Sequence, residues 1–182
     1  MGKKFSYKYL VLLTYTPRKN INLKEYEKWL IEVDNPFFNN IKEVAHYSNW
    51  KVLDNGVNSE FIYFDFLTFN SLSDFNKAWY SKELNTFTSQ WRQMWGQAPD
   101  SKDLHLNARV FLFENIADDP YDFSNFVSIE FQNNYKKSNN FNWKLLESLR
   151  DKASFYYFKT EFLNSKPLSK VNLIGGLIAS PY

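Results

Sequence analysis

One histidine and one aspartate are predicted to face each other across a β-hairpin. Residues 44–53 and 61–69 both have the apolar and aromatic composition of β-strands. Asn55-Gly56 lies between them, and this dipeptide favours the type I′ turn of a two-residue hairpin. With that turn, His46 lies opposite Asp65, with Cβ atoms about 5 Å apart. We therefore expect His46 to act as a general base that the Asp65 carboxylate orients.

The same two residues have a purely structural interpretation. Asp65 interrupts an apolar strand, where an unpaired buried charge is costly, so His46 could simply be its partner in the core. Asp65 could also lie on an exposed rim of the sheet. The register decides between these alternatives, because a slip of one residue places the two side chains on opposite faces.

Other residues are candidates for the same site. Asp34 ends the first predicted helix as part of a helix break before Pro36, and the family resemblance described below adds it to the catalytic candidates. Tyrosine hydroxyls and tryptophan rings on the neighbouring strands and on the second helical region could orient and stack on a flat ligand, although ordinary packing is the alternative. The predicted substrate-binding residues are Tyr15, Ser48, Trp50, Tyr63, Trp91, Arg92 and Trp95.

The elements that must position these residues follow a recognisable order. Residues 7–16 and 107–115 are predicted strands that flank the hairpin and two helical regions. Asn22 is placed to cap the first helix, and Ser71 and Ser81 are placed to start the second region and restart it. The resulting β-α-β-β-α-β order predicts an α+β, ferredoxin-like domain, an antiparallel sheet with both helices on one face.

The rest of the chain repeats the opening of this pattern. Residues 126–131, 155–162 and 171–178 are strand-like, residues 143–149 have the apolar spacing of a short helix, and Gly175-Gly176 suggests a bulge. Polar, proline-bearing residues 118–122 predict a boundary. We therefore divide the chain into a domain at residues 1–117 and a C-terminal βαββ segment at residues 118–182, either an extension or a truncated second repeat.

Composition excludes several functions. The 182 residues carry a net charge of +2 and no cysteine, and no apolar run approaches the length of a membrane span, so we expect neither nucleic-acid nor membrane partners. Two distant histidines do not form a recognisable metal set, and we expect no cofactor, although His46 with Asp34 and Asp65 could hold a metal and His46 a haem. The aromatic content of 20% suits a ring-rich core or a pocket for a flat ligand. We expect a cytoplasmic protein.

A family resemblance adds to this interpretation. Residues 26–34, the strand beginning Val44-Ala45-His46-Tyr47, and residues 78–84 with Trp91 downstream resemble the dimeric α/β-barrel superfamily, most closely the RedY-like and EthD-like proteins. The resemblance covers about residues 5–115. It implies that the sheet packs against a second sheet to form a barrel, usually in a homodimer. Residues 118–182 could instead supply that sheet within one chain, giving a pseudo-dimeric monomer.

The resemblance also implies a range of activities. Such proteins include cofactor-independent monooxygenases, cyclases, isomerases and haem-degrading enzymes, and RedY-like proteins are similar to cyclisation enzymes of indole- and pyrrole-derived pathways. Asp34 resembles the acidic residue that ends the first helix in RedY-like proteins. We therefore expect a small-molecule enzyme acting on an apolar or aromatic metabolite between sheet and helices. The alternative is a non-catalytic ligand-binding or structural barrel protein.

Overall fold

A computed structural model describes residues 4–5, 7–53, 59–96, 108–117, 121–122, 124–133, 142–150, 152–167 and 172–181. The strands are β1 (Lys4–Phe5), β2 (Tyr9–Tyr15), β3 (His46–Val52), β4 (Tyr63–Phe69), β5 (Ala108–Asn115), β6 (Tyr121–Asp122), β7 (Phe126–Gln132), β8 (Trp143–Arg150), β9 (Tyr157–Leu163) and β10 (Leu173–Ala179). The helices are α1 (Leu23–Trp29), a π-helical segment (Leu30–Asp34), α2 (Asn35–Asn39), α3 (Leu72–Trp79) and α4 (Lys82–Met94).

Eight strands close into one barrel in the order β10-β3-β4-β2-β5-β8-β9-β7, and β1 and β6 pair separately. Every pairing within the barrel is antiparallel. The predicted α+β class is therefore confirmed, and residues 9–115 follow the predicted β-α-β-β-α-β order. The strands after residue 124 complete the barrel within the same chain.

Two hydrophobic clusters lie on the two faces of strands β2 to β5, because successive side chains in a strand point to opposite sides. Leu12, Trp50 and Phe66 point into the barrel, where they join a ring-rich cluster with residues of the C-terminal strands. Val11 and Leu67 belong to the other cluster, which includes residues of α3 and α4. The helices therefore cover one outer face of the barrel, and the parity of each residue number decides on which side of the sheet its side chain lies.

The first helical region does not end where the sequence predicted. The backbone N–H of Asn35 bonds to the carbonyl of Leu30, five residues back, and the chain continues into α2. Pro36 cannot donate a hydrogen bond and its ring would crowd the carbonyl four residues earlier in an α-helix. The wider π-helical turn accommodates this proline, and the predicted helix break is wrong. Asp34 and Asn35 are consequently buried, with 4% and 6% of their surface exposed.

The predicted helix at residues 143–149 is also wrong, since these residues form strand β8. The apolar spacing of Leu145, Leu146 and Leu149 fits a helix. The segment forms a strand because it pairs with β5, whose backbone N–H and C=O groups on that edge would otherwise lack partners. Among the described residues, the regular elements of the C-terminal segment are therefore strands, with no helix.

Gly175 and Gly176 lie in regular pairing with β3 rather than in the predicted bulge, and the irregularity falls two residues later, between Leu177 and Ala179. A Cβ on Gly175 would lie 2.4 Å from Cζ of Phe64. The glycine is thus required by the close approach of a core ring.

Two further predictions lie outside the described residues, at least in part. Residues 54–58, which contain the predicted Asn55-Gly56 turn, are not described, and neither are residues 118–120 of the predicted boundary. The division at residue 117 remains a prediction. In the described part of the chain, no helix is long and apolar enough to cross a membrane.

Candidate active site

The predicted pairing of His46 with Asp65 is wrong. His46 lies opposite Thr68, and Asp65 lies opposite Asn49. Strand β3 ends at Val52 and β4 begins at Tyr63, and their register differs by three positions from the predicted one, which puts the two side chains on opposite faces. Asp65 faces the helices and His46 points into the barrel, so Asp65 cannot orient the His46 imidazole.

Asp65 instead meets Asp34, the acidic residue at the end of the π-helical segment. The hydroxyl oxygen of Tyr47 lies 2.7 Å from Oδ2 of Asp34 and 2.9 Å from Oδ2 of Asp65. The Tyr47 ring is stacked on Phe38, with ring centroids 4.2 Å apart, and this contact fixes the position of the hydroxyl. Two of the three predicted catalytic residues therefore form a buried carboxyl pair bridged by one phenol.

An amide also bridges the pair. Nδ2 of Asn49 donates to Oδ2 of Asp34 at 2.9 Å and to Oδ1 of Asp65 at 3.0 Å. Its Oδ1 accepts a hydrogen bond from Nδ2 of Asn35 at 3.0 Å, so the amide is held with its NH₂ group towards the carboxyls. The Tyr15 hydroxyl donates to Oδ1 of Asp65 at 3.1 Å. The network therefore supplies donors from both the sheet and the helical layer.

The hydrogens of this network are satisfied when the carboxyl pair holds one proton. A phenol can donate only one hydrogen bond, yet the Tyr47 hydroxyl is within bonding distance of both carboxyls. Both contacts are hydrogen bonds when one carboxyl is protonated and donates to the phenol oxygen. The shorter contact, to Asp34, is the length expected for a hydroxyl that donates to an ionised carboxylate. We assign the proton to Asp65, which donates to Tyr47, and Tyr47 in turn donates to Asp34.

Electrostatics favour the same assignment. Burial raises the pKa of Asp34 to about 6, although the hydrogen bonds from Tyr47 and Asn49 lower it. Burial raises the pKa of Asp65 well above its usual range, and the nearby charge of Asp34 raises it further. Two carboxyls in one buried site cannot both ionise readily, which favours a pair that carries a single negative charge.

The two carboxyls differ in whether one of their oxygen atoms remains free to bind a ligand. Both oxygens of Asp65 have hydrogen-bond partners, namely Tyr15 and Asn49 at Oδ1 and Tyr47 at Oδ2. Only Oδ2 of Asp34 has partners among the described residues, although Asp34 lines a cavity. Oδ1 of Asp34 is therefore the oxygen that can accept a proton from a bound molecule.

The cavity above the pair has a volume of about 250 Å³ and lies between the sheet and α4. Leu13 and Val110 form its floor, and Leu84, Phe87 and Trp91 form its helical wall. The Trp91 ring meets the Tyr15 ring edge-on at 5.6 Å. A flat, mostly apolar molecule of one or two rings suits this space.

The predicted substrate-binding residues separate into three groups. Tyr15, Trp91 and Arg92 line the cavity. Tyr63 and Trp95 pack in the adjoining aromatic cluster, where the Tyr63 hydroxyl donates to Glu27, and they do not line it. Two residues, Ser48 and Trp50, share the parity of His46, so they point into the barrel, where Trp50 Nε1 donates to Ser48 Oγ at 2.9 Å. Their prediction as ligand contacts is wrong for the same reason of register.

His46 is fully buried on that inner face. Its Nε2 lies 3.0 Å from Oγ of Ser180, and the Tyr7 ring stacks on the imidazole at 6.0 Å. Burial lowers the pKa of His46 to about 3, which keeps the ring neutral. This side chain belongs to the barrel core, and it does not line the cavity.

Sequence analysis missed several residues of the site. Tyr47 and Asn49 lie beside His46 in the same strand, and only the correct register reveals that they face Asp65. Asn49 carried a usable signal, since a buried polar residue in an apolar strand requires a partner, as Asp65 does. Arg150 lines the cavity from β8, and it was missed because the sequence predicted a helix at this place instead of a strand of the barrel.

The described residues contain no group of three His, Cys, Asp or Glu side chains arranged to hold a metal ion. The set of His46, Asp34 and Asp65 considered from the sequence is wrong, because His46 lies on the other face of the sheet.

Fold and site together define an α+β barrel with a ligand-sized cavity under its helical layer. A family model described as REDY-like protein HapK matches residues 10–101, just over half of the chain. The chain therefore belongs to the REDY-like HapK family, which confirms the resemblance stated from the sequence. The matched region contains both members of the carboxyl pair and their bridging residues.

The fold has a solved counterpart. A crystal structure described as that of an anthrone oxidase-like protein superposes with a TM-score of 0.56 at 10% sequence identity, and the match covers 99% of this chain and 94% of that chain. At this identity the likeness shows the fold alone. No curated protein matches the sequence.

Proposed function

We propose that this protein is a small-molecule enzyme in which Asp34 removes a proton from an apolar or aromatic substrate bound in the cavity. The observation that carries the proposal is the unequal state of the two carboxyls. Oδ2 of Asp34 is held by Tyr47 and Asn49, while Oδ1 has no partner among the described residues. A base fixed at one oxygen and open at the other is positioned for proton transfer.

The supporting residues have separate roles in this proposal. Asp65 is a positioning residue, since it holds the shared proton and acts on Asp34 through Tyr47. A carboxylate with a pKa near 6 is a stronger base than an ordinary aspartate and is still ionised at neutral pH. The ring-lined walls exclude water and hold the substrate flat.

The proton transfer is the first step that several reactions share. Return of the proton to a different atom of the substrate is an isomerisation. In a cyclisation, the resulting carbanion attacks a carbonyl carbon of the same molecule, the C=O π bond breaks, and the oxyanion that forms takes the proton back from Asp34. A monooxygenase reaction would begin in the same way and would require O₂ as the oxidant. We favour isomerisation or cyclisation, since the substrate and the proton held by Asp34 are sufficient for both reactions.

Hydrogen–deuterium exchange tests this function directly. Aromatic ketones with an acidic C–H bond are incubated with the protein in D₂O under nitrogen, and ¹H NMR measures loss of the C–H signal. Anthrone belongs in the panel because the structural neighbour is described as anthrone oxidase-like. Asp34→Asn is expected to slow enzyme-catalysed exchange by about 10²- to 10⁴-fold, the usual contribution of a general base.

Asp74→Asn is the matched control, because Asp74 accepts from Ser71 at the start of α3 and does not line the cavity. Equal exchange by Asp34→Asn and the native protein would contradict the proposed base. Binding across the panel without any exchange would support the alternative of a non-catalytic ligand-binding barrel.

We further propose that the chain works as a pseudo-dimeric monomer. In this view residues 9–115 form a ferredoxin-like unit, and the C-terminal strands replace the sheet that a second subunit supplies in dimeric relatives. The closed strand order supports it. Light scattering coupled to size exclusion is expected to give the mass of one chain, and the mass of two chains would contradict this proposal.

A further inference from the structure

Two arginines line the cavity, one from the helical layer and one from the sheet. Arg92 projects from α4, and Arg150 ends strand β8. A bulge explains how β8 presents this side chain, since Val110 pairs with Arg150 while the next residue of β5 pairs with Ser148. The extra residue, Leu149, consequently lines the same cavity as Arg150.

Neither arginine has an ion-pair partner among the residues that the structure describes. The two remaining arginines of the sequence do have partners, which makes the contrast specific to the cavity. Arg109 pairs with Glu60 at 2.6 Å, and Arg18 donates to the backbone carbonyl of Met94. Two neighbouring guanidinium groups repel each other, and burial together with the charge of Arg92 lowers the pKa of Arg150. An anionic ligand group would relieve this repulsion.

The register places the arginine wall at a defined distance from the carboxyl pair. Asp65, Leu13, Val110 and Arg150 lie in one row across adjacent strands. Adjacent strands are about 4.8 Å apart, so the backbones of β4 and β8 are about 14 Å apart. The apolar floor formed by Leu13 and Val110 lies between the two polar ends. A ring system therefore fits between the carboxyl pair and the arginines.

We propose that the substrate is an aromatic carboxylate whose carboxylate group binds between Arg92 and Arg150 while its reacting C–H bond lies at Asp34. This inference rests on the proposed function and adds the substrate class. Charge balance favours a carboxylate over a phosphate. With one negative charge on the carboxyl pair and two positive charges on the arginines, a monoanionic ligand group brings the net charge of the site to zero. A dianionic phosphate would leave an excess negative charge.

Matched ligands test the anion directly. The probes are 2-naphthoate, its neutral analogue 2-naphthamide and 2-naphthyl phosphate, and binding is measured by quenching of tryptophan fluorescence and by calorimetry. We expect 2-naphthoate to bind at least about tenfold more tightly than 2-naphthamide, as suits a charge-assisted contact. Arg150→Met and Arg92→Met should each remove most of this preference with little effect on 2-naphthamide.

Arg109→Met is the control, because it removes an equal charge outside the cavity and should leave the preference unchanged. Equal binding of 2-naphthoate and 2-naphthamide would overturn the inference, as would tighter binding of the phosphate or an equal loss in Arg109→Met. Thermal unfolding establishes that each variant is folded. If Arg150→Met does not fold, Arg92→Met, at an exposed helical position, decides the outcome.

The two proposals can fail separately. The carboxylate preference is a binding measurement and should persist in Asp34→Asn, whereas exchange should not. A preserved preference with undiminished exchange in Asp34→Asn would overturn the proposed base alone. Exchange that depends on Asp34 with no preference for the carboxylate would overturn the substrate class alone.

Discussion

Asp34 and Asp65 lie on different elements, and each is within hydrogen-bond distance of the one hydroxyl of Tyr47. This shared phenol couples the ionisation of the two carboxyls, because its single hydrogen can stabilise only one carboxylate at a time. The coupling makes several outcomes measurable.

Tyr47→Phe should raise the pKa of Asp34 further above its usual range. The Tyr47 hydroxyl lowers that pKa by donating to the ionised carboxylate, so its removal leaves Asp34 with one bridging donor, Asn49. Titration of ¹³C-labelled aspartate carboxyls by NMR measures the change. Tyr63→Phe is the control, since that buried tyrosine donates to Glu27 outside the pair. An unchanged or lowered Asp34 pKa in Tyr47→Phe would contradict the bridging role.

Asp34→Asn should stabilise the protein at pH 8 and not at pH 3.5. The pKa of Asp34 is about 6 in the folded protein against 3.8 ordinarily, so the unfolded chain releases this proton at lower pH. Folding stability is therefore lost as pH rises from 3.8 to about 6, and the loss amounts to about 3 kcal/mol. Urea unfolding at both pH values measures the difference.

Glu32→Gln, which removes an exposed carboxylate on the helical layer, is the control for this stability change. A stabilisation by Asp34→Asn that is the same at both pH values would show that the buried charge is not its cause. Because the same substitution should abolish exchange, stability and activity are expected to change in opposite directions.

His46→Gln should leave proton exchange near its native rate and alter the acid stability of the fold. The pKa of His46 is about 3 in the folded state, so below pH 6.5 the unfolded chain binds a proton that the native ring does not. Stability is thereby lost as pH falls from 6.5 towards 3, and the glutamine variant should lose less over this range. A large loss of exchange in a folded His46→Gln protein would restore the histidine to the site.

Gly175→Ala should destabilise the barrel by about 1–3 kcal/mol, the usual cost of overpacking a core. The added methyl would lie 2.4 Å from the Phe64 ring, which is fully buried and contacts the rings of Trp50 and Phe66. Gly176→Ala is the matched control, because its nearest neighbour is the flexible end of Leu53 at 3.2 Å. Phe64→Leu should partly rescue Gly175→Ala in a double-mutant cycle, and equal effects of the two alanine substitutions would contradict the proposed clash.

The sequence predicted which acidic residues matter better than it predicted where they lie. Asp65 was singled out because it interrupts an apolar strand, and Asp34 because it ends the first predicted helix and resembles the acidic residue at that place in RedY-like proteins. Their meeting was not predicted, since the type I′ turn implied a register that is wrong by three positions. Because the register differs by an odd number of residues, each side chain of β3 was assigned to the wrong face of the sheet. The predicted site therefore contained His46, Ser48 and Trp50 in place of Tyr47 and Asn49.

The elements themselves followed local signals more closely. Asn22, Ser71 and Ser81 cap helices as predicted, since capping depends on residues within one turn. Strand β8 did not follow its local pattern, because its conformation is set by the unpaired edge of β5, far away in sequence. Arg150 was missed for the same reason, and no local feature of residues 143–150 indicates that β5 requires a partner.

The π-helical segment carries one more residue in its turn than an α-helix would. If this turn adopted α-helical spacing with every residue kept, Asp34 would rotate relative to α1 by nearly the 100° that one α-helical residue spans. The aspartate would then be retained in the sequence and lost from the cavity. Among relatives, the backbone geometry of this turn should therefore distinguish chains with a carboxyl pair more reliably than the presence of an aspartate at this position.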